Sequence, residues 1–253
     1  MRIDLNADVG ESFGAYTIGY DAGLMRSITS ANVAAGVHAG DPSVLRATIR
    51  SAKAHGVAVG AHPGYPDIAG FGRRSMQLTA REVEDLVLYQ IAAVAGVAAA
   101  EGVRLQHVKP HGALYNDAAA DPVLAAAIVR AAVAFDRGLV IMALPDSALL
   151  VAAASAGLRV AAEGFADRAY GADGGLVPRS RPGAVLHDVD EIVARAVRMA
   201  TEGVVTAVDG STLALAVQTI CVHSDTPGAD RIAEQLRAAL AAAGINVLPC
   251  ARD

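Results

Sequence analysis

The sequence predicts an α/β protein built as a single (β/α) barrel of about seven strands. Three observations predict it. Short β-like runs alternate with Ala-rich helical stretches along all 253 residues. Each recognisable polar cluster follows a candidate strand, and no Pro- or Ser-rich linker divides the chain. A βαβα alternation implies a parallel sheet, and at roughly 250 residues one barrel is the most economical closure. The expected unit is one domain over residues 1–253.

The candidate strands lie at residues 2–7, 30–34, 57–61, 105–108, 139–143, 158–162 and 220–222. Helical stretches lie between them at 42–55, 80–101, 122–135, 147–156, 189–201 and 229–243. Three carry start signals: Asp41 before Pro42, Thr79 with Glu82 three residues on, and Asp121 before Pro122. The run 171–182 (GADGGLVPRSRP) reads as a long loop, and long ordered loops are often functional.

Period-2 alternation separates two faces in the strands. Ile3 and Leu5 share one parity, while Asp4, Asn6 and Asp8 share the other. Val57 and Val59 oppose Gly60 and His62, and Ile220 and Val222 oppose Cys221 and His223. With the apolar parity on the outer helices, the polar parity points into the barrel and gathers at the C-terminal strand ends, where barrel active sites are built. Asn6, Asp8 and Glu11 follow the first strand; Asn32, His38 and Asp41 the second; His62 and Asp67 the third. Lys109 and His111 follow the fourth, Glu163 and Arg168 the sixth, and His223 and Asp225 the seventh. Taken singly, Asp41 is an N-cap, a lone His is structural, and His62–Pro66 is a turn. Taken together at one end of one barrel, they make a site.

Composition excludes several classes. Hydrophobic residues are 53% and charged residues 19%, which rules out a disordered chain. The net charge of −5 and an aromatic content of 4% leave no basic stacking surface for nucleic acid. The N-terminus has no signal-peptide core, and the longest apolar run, 91–100, is short of the ~18 residues of a membrane span. Two distant cysteines, Cys221 and Cys250, fit free thiols, so a cytoplasmic protein without a membrane partner is expected. No P-loop, G-x-S-x-G elbow or H-E-x-x-H run is present. What remains is acid–base and electrostatic chemistry on a small polar substrate, with or without a divalent metal.

The segments IDLNADVGESFG (3–14), SANVAAGVHAGDP (30–42), GVAVGAHPGYPD (56–67) and GFGRR (70–74) resemble the LamB/YcsF family. So do LQHVKPHGALYN (105–116), FADRAY (165–170), LVPRSRPGAV (176–185) and TICVHSDTP (219–227), which together span almost the whole chain in order. The resemblance implies an incomplete, TIM-like barrel related to glycoside hydrolases and deacetylases. It implies hydrolysis of 5-oxo-L-proline to L-glutamate coupled to ATP hydrolysis, as the A subunit of a 5-oxoprolinase with B and C subunits. ATP is then consumed by the complex, at a site the sequence does not locate, and a homo-oligomer stays open. Ala7 and Ala35 stand where many members have Cys, Val37 where Phe is usual, and Ser224 where Gly is frequent. None of these removes a charged or His position.

The chemistry implied distributes roles. Asp8 or Glu11, oriented by His38 or His62, would take a proton from water. Lys109 and His111 would stabilise negative charge. Asn6, Asn32, Asp41, His223 and Asp225 would bind substrate, with Arg168 on its carboxylate. Arg73, Arg74, Arg179 and Arg181 read as mobile and solvated, or as a lid. One rival is a metal-dependent deacetylase of a small amide or sugar, with Asp8, His62 and His111 as ligands. Another is a non-catalytic binding subunit.

Overall fold

The computed structural model describes residues 1–250. Its elements in order are β1 (Arg2–Val9), α1 (Asp21–Leu24), β2 (Ser30–Ala34), α2 (Pro42–His55), β3 (Ala58–His62), α3 (Ala80–Ala100), β4 (Leu105–Val108), α4 (Gly112–Ala120) and α5 (Pro122–Phe135). Then follow β5 (Val140–Ala143), α6 (Ala148–Ser155), β6 (Arg159–Phe165), α7 (Val189–Glu202), β7 (Val204–Thr206), β8 (Thr212–Ala214), β9 (Thr219–His223), α8 (Ala229–Ala242) and β10 (Asn246–Val247). Strands β1 to β6 pair in sequence order, β6 pairs with β9, and β9 pairs back with β1. The result is a closed parallel barrel of seven strands. All seven expected strands form it, and β10 adds a short parallel pair outside it, on β1.

Register explains the interior. Asp8 lies opposite Asn32 on β2 and His223 on β9, and Asp4 lies opposite Thr219, which faces Glu163 on β6. The polar parity therefore stacks in layers inside the barrel. Gly60 pairs with His107 at an irregularity between β3 and β4. A Cβ at Gly60 would meet the His107 ring at 2.1 Å, so only glycine leaves that ring its place in the interior. The opposite parity, including Leu5, Val9, Ile220 and Val222, is buried in the apolar core under the helices.

Helix starts follow the sequence signals. Asp41 accepts from the amides of Ser43 and Val44, Asp121 from those of Val123 and Leu124, and Thr79 with Glu82 forms a capping box. Helix α3 has 21 residues and is long and apolar enough, by length and composition, to cross a membrane. That departs from the expectation drawn from the shorter run 91–100. Here it is an outer helix of the barrel, burying Val83, Val87, Ile91, Val94 and Ala98 and packing on α5 and β3. Helix α4 and the β7–β8 hairpin are additions to the expected elements. The first starts at Gly112 with no side-chain cap, and the second turns through Val208-Asp209-Gly210, a three-residue loop with Gly210 at φ +86°.

Candidate active site

The C-terminal strand ends bring Asp8, Glu11, His38, His62, Lys109 and His111 together, all buried. Asp8 sits at the centre. Its Oδ1 accepts from Asn32 Nδ2 at 2.8 Å and Lys109 Nζ at 2.9 Å, and its Oδ2 lies 3.4 Å from His62 Nε2. Burial alone would raise its pKa; the charges of His62 and Lys109 outweigh it and hold Asp8 well below the carboxylate range. Glu11 is pushed the other way, by burial and then by the charges of Asp8 and Asp225. Two carboxyl groups with pKa values driven apart are suited to serve as an acid–base pair.

Lys109 is buried and fully engaged. Its Nζ is within 3.2 Å of Asn6 Oδ1 and within 2.9 Å of Asp8 Oδ1, Glu163 Oε1 and Cys221 Sγ. An ammonium has three N–H donors, so these partners exhaust it. Burial would lower its pKa; Asp8, Cys221 and Glu163 more than reverse that. Lys109 is the counter-ion that keeps Asp8 ionised.

The histidines have defined tautomers. His62 Nδ1 lies 2.7 Å from the Lys109 carbonyl and His111 Nε2 lies 2.8 Å from the Phe71 carbonyl. Carbonyls only accept, so both nitrogens carry hydrogen. In the neutral rings, His62 Nε2 and His111 Nδ1 then aim lone pairs at each other across 2.9 Å. Glu11 Oε1, which has no hydrogen-bond partner, lies 3.6 Å from His111 Nδ1. His38 stacks on His111, with centroids 3.9 Å apart at 7°, and both its nitrogens are unpartnered. Gly72, at φ +64°, makes room for this: a Cβ there would meet both His38 and His111 at 2.8 Å.

The donor set suits a divalent cation. Glu11, His38, His62 and His111 each offer an atom within 4.8 Å of the others. The His62 and His111 rings are nearly perpendicular with Nε2 and Nδ1 2.9 Å apart, and each donates its other N–H to a carbonyl as metal-bound histidines do. Glu11 Oε1 is a third donor of that group, and Asp8 Oδ2 lies 3.4 Å from His62 Nε2. The in-plane lone pairs of His38 run alongside those of His111 and do not converge with them. A second group, Asp8, Cys221 and His223, holds the Lys109 ammonium against its sulfur and suits no further cation.

A cavity of about 950 Å³ opens over the site. Asp8, Glu11, His62, Lys109, His111, Arg168, His223 and Asp225 line it. Asn6, Asn32 and Asp41 do not, which corrects their expected contact with substrate. Asn6 is spent on Glu163, Thr219, Asn32 and Lys109; Asn32 on Asp8, Asn6 and His107; Asp41 caps α2 and accepts from the Gly14 amide. Arg168 faces the cavity, yet its Nε and Nη2 donate to the carbonyls of Ala184 and Val177, so it also fastens the 176–185 loop. Arg73 and Arg179 line the cavity too, and Arg73 pairs with Asp225 at 2.5 Å and lies over the Phe71 ring. Arg74 instead pairs with Asp67.

Sequence reasoning assigned no role to His107, Glu163 or Asp167. His107 Nε2 is 2.8 Å from Asn32 Oδ1, and burial, then Lys109, lowers its pKa to about 3. It shares the parity of Lys109 and His111, a signal already present in the strand. Asp167 accepts from His223 Nδ1 at 2.9 Å and from Thr226; these outweigh burial and hold it at about 2.

Comparison with known proteins agrees with this architecture. The chain is 54% identical over 246 residues to the 5-oxoprolinase A subunit of Symbiobacterium thermophilum, covering 97% of this chain and 94% of that one. It is 52% identical to the 5-oxoprolinase A subunit of Pyrococcus furiosus, covering 98% of each. The lactam utilization protein from Thermus thermophilus superposes with a TM-score of 0.92 at 49% identity, over 98% of this chain and 99% of that one. A family 4 carbohydrate esterase from Streptomyces lividans shares the fold alone, at a TM-score of 0.53 and 13% identity, over 97% of this chain and 91% of that one. The LamB/YcsF family model matches residues 3–253, and the chain belongs to the LamB/YcsF family.

Proposed function

We propose that this chain is the A subunit of an ATP-dependent 5-oxoprolinase, acting with B and C subunits to open 5-oxo-L-proline to L-glutamate. The observation that carries the chemistry is the pair Asp8 and Glu11, one held ionised and the other driven toward its acid form at one cavity wall. Near-complete coverage of relatives named for the A subunit of 5-oxoprolinase supports the substrate.

An unactivated lactam opens unfavourably, which gives ATP its part. The lactam oxygen takes the γ-phosphoryl group and ADP leaves. Asp8 takes a proton from water as it adds to the activated carbon. Glu11 gives its proton to the ring nitrogen as the carbon–nitrogen bond breaks. A second water then releases phosphate from the acyl phosphate, leaving glutamate. Arg168 answers the substrate carboxylate with the N–H groups the loop carbonyls leave free. His62 and His111, with Asp8, would hold a divalent ion, which when bound would supply electrostatic stabilisation of negative charge on oxygen.

Glutamate release from 5-oxo-L-proline by the chain with B and C subunits, with and without ATP, tests the reading. Acetate release from N-acetylated sugars, with no glutamate, would favour a deacetylase.

A further inference from the structure

We propose that Arg179, with Arg181 and His187, forms a phosphoryl-binding annex at the mouth of the active-site cavity. A second cavity of about 300 Å³ adjoins the first, and Arg179 and Asp225 are walls of both. Arg181 and His187 line the second. Among the described residues, none of these three side chains makes a hydrogen bond or ion pair.

The carboxylates that reach Arg179, Asp167 and Asp225, are already engaged elsewhere. Arg168 lies close enough to Arg179 that burial and then this second guanidinium lower its pKa to about 10. Asp225 is committed to Arg73, and Asp167 to His223 and Thr226. Helix α8, of 14 residues, starts just beyond the Pro227 wall with Gly228 at its N-cap and no side-chain cap, and its positive end adds to the same field.

The ligand chemistry follows from number and shape. Arg168 already answers a carboxylate. Two further guanidinium forks and an imidazole around a separate cavity match a dianion with three acceptor oxygens, which is a phosphoryl group. This deepens the reading above: ATP-coupled ring opening brings a phosphoryl group to this cavity, on a nucleotide tail or on the activated lactam.

Calorimetric titration of the purified full-length chain at low ionic strength, with inorganic phosphate, ATP and adenosine in separate runs, tests the annex. Saturable phosphate binding is expected, weakened about tenfold or more in Arg179→Gln and in Arg181→Gln, with unchanged melting temperature. ATP binding tighter than phosphate, with adenosine silent, identifies the nucleotide as the source. ATP no tighter than phosphate identifies the phosphorylated lactam. Absent binding of phosphate and ATP to the wild-type chain, or unchanged affinity in both variants, overturns the annex. Glutamate formation by the complex is measured separately, so the annex can fail while ring opening stands.

Discussion

His62 Nε2 and His111 Nδ1 face each other at 2.9 Å, and in the neutral rings neither carries a hydrogen. Two lone pairs at that distance call for a cation shared by both nitrogens, a proton on the line between them or a divalent ion beside it, and Asp8 Oδ2 lies 3.4 Å from His62 Nε2. The purified chain is expected to bind one equivalent of zinc or another divalent ion. His111→Ala is expected to weaken it at least tenfold, by removing a converging donor. Metal content by mass spectrometry after dialysis checks this. No retained metal in the wild-type chain assigns the gap to a shared proton.

On the proposed mechanism Asp8 and Glu11 set opposite limbs of the pH profile. Turnover needs Asp8 ionised and Glu11 protonated, so the rate is expected to fall on the alkaline side as Glu11 loses its proton. Glu11→Gln is expected to cost roughly 10²–10⁴ in rate and to remove the alkaline limb. An alkaline limb that survives in Glu11→Gln would take the general-acid role away from Glu11.

Lys109 stands between two carboxylates, 2.9 Å from Asp8 Oδ1 and 2.9 Å from Glu163 Oε1. Lys109→Met leaves both buried charges uncompensated and is expected to destabilise the fold by about 3–5 kcal/mol. Adding Glu163→Gln removes one of them, so the double variant is expected to be more stable than Lys109→Met alone. Urea denaturation of the cycle decides, and strict additivity would mean the pair is not coupled.

His107 stays neutral in the fold, with its pKa lowered to about 3 from an ordinary value of 6.5. The unfolded chain gains a proton there as pH falls below 6.5 and the folded chain does not. Its stabilising effect is therefore complete above pH 6.5 and is lost as pH falls toward 3. The expected slope is about 1.4 kcal/mol per pH unit inside that window. His107→Gln lacks the titration, so its stability is expected to fall less steeply from pH 6.5 to 4. Parallel wild-type and variant curves would show that His107 protonates in the folded state.

The barrel is legible in the sequence because each strand pairs with a neighbour through its own period-2 pattern. Ile3, Leu5 against Asp4, Asn6, Asp8 states both faces of β1 directly. The site is legible in its membership for the same reason, since Asp8, His62, Lys109 and His223 inherit their direction from strands. What is hidden depends on partners distant in sequence. Two partners of Lys109, Glu163 and Cys221, arrive from β6 and β9. Arg73 reads as solvated because its anchor, Asp225, is 152 residues away. Asn6 and Asn32 share the inward parity of Asp8, but only their hydrogen bonds to Asp8, Lys109, Glu163 and His107 show that they are spent inside the barrel instead of meeting the cavity.

The most direct test compares glutamate formation from 5-oxo-L-proline and ATP by complexes of the B and C subunits with wild-type chain and with Asp8→Asn. The wild-type complex is expected to form glutamate, and the wild-type chain alone little or none. The Asp8→Asn complex, assembled and folded, is expected to be slower by roughly 10²–10⁴. Wild-type turnover by that complex would contradict the account, because the ring would then open without the carboxylate on which the site is centred.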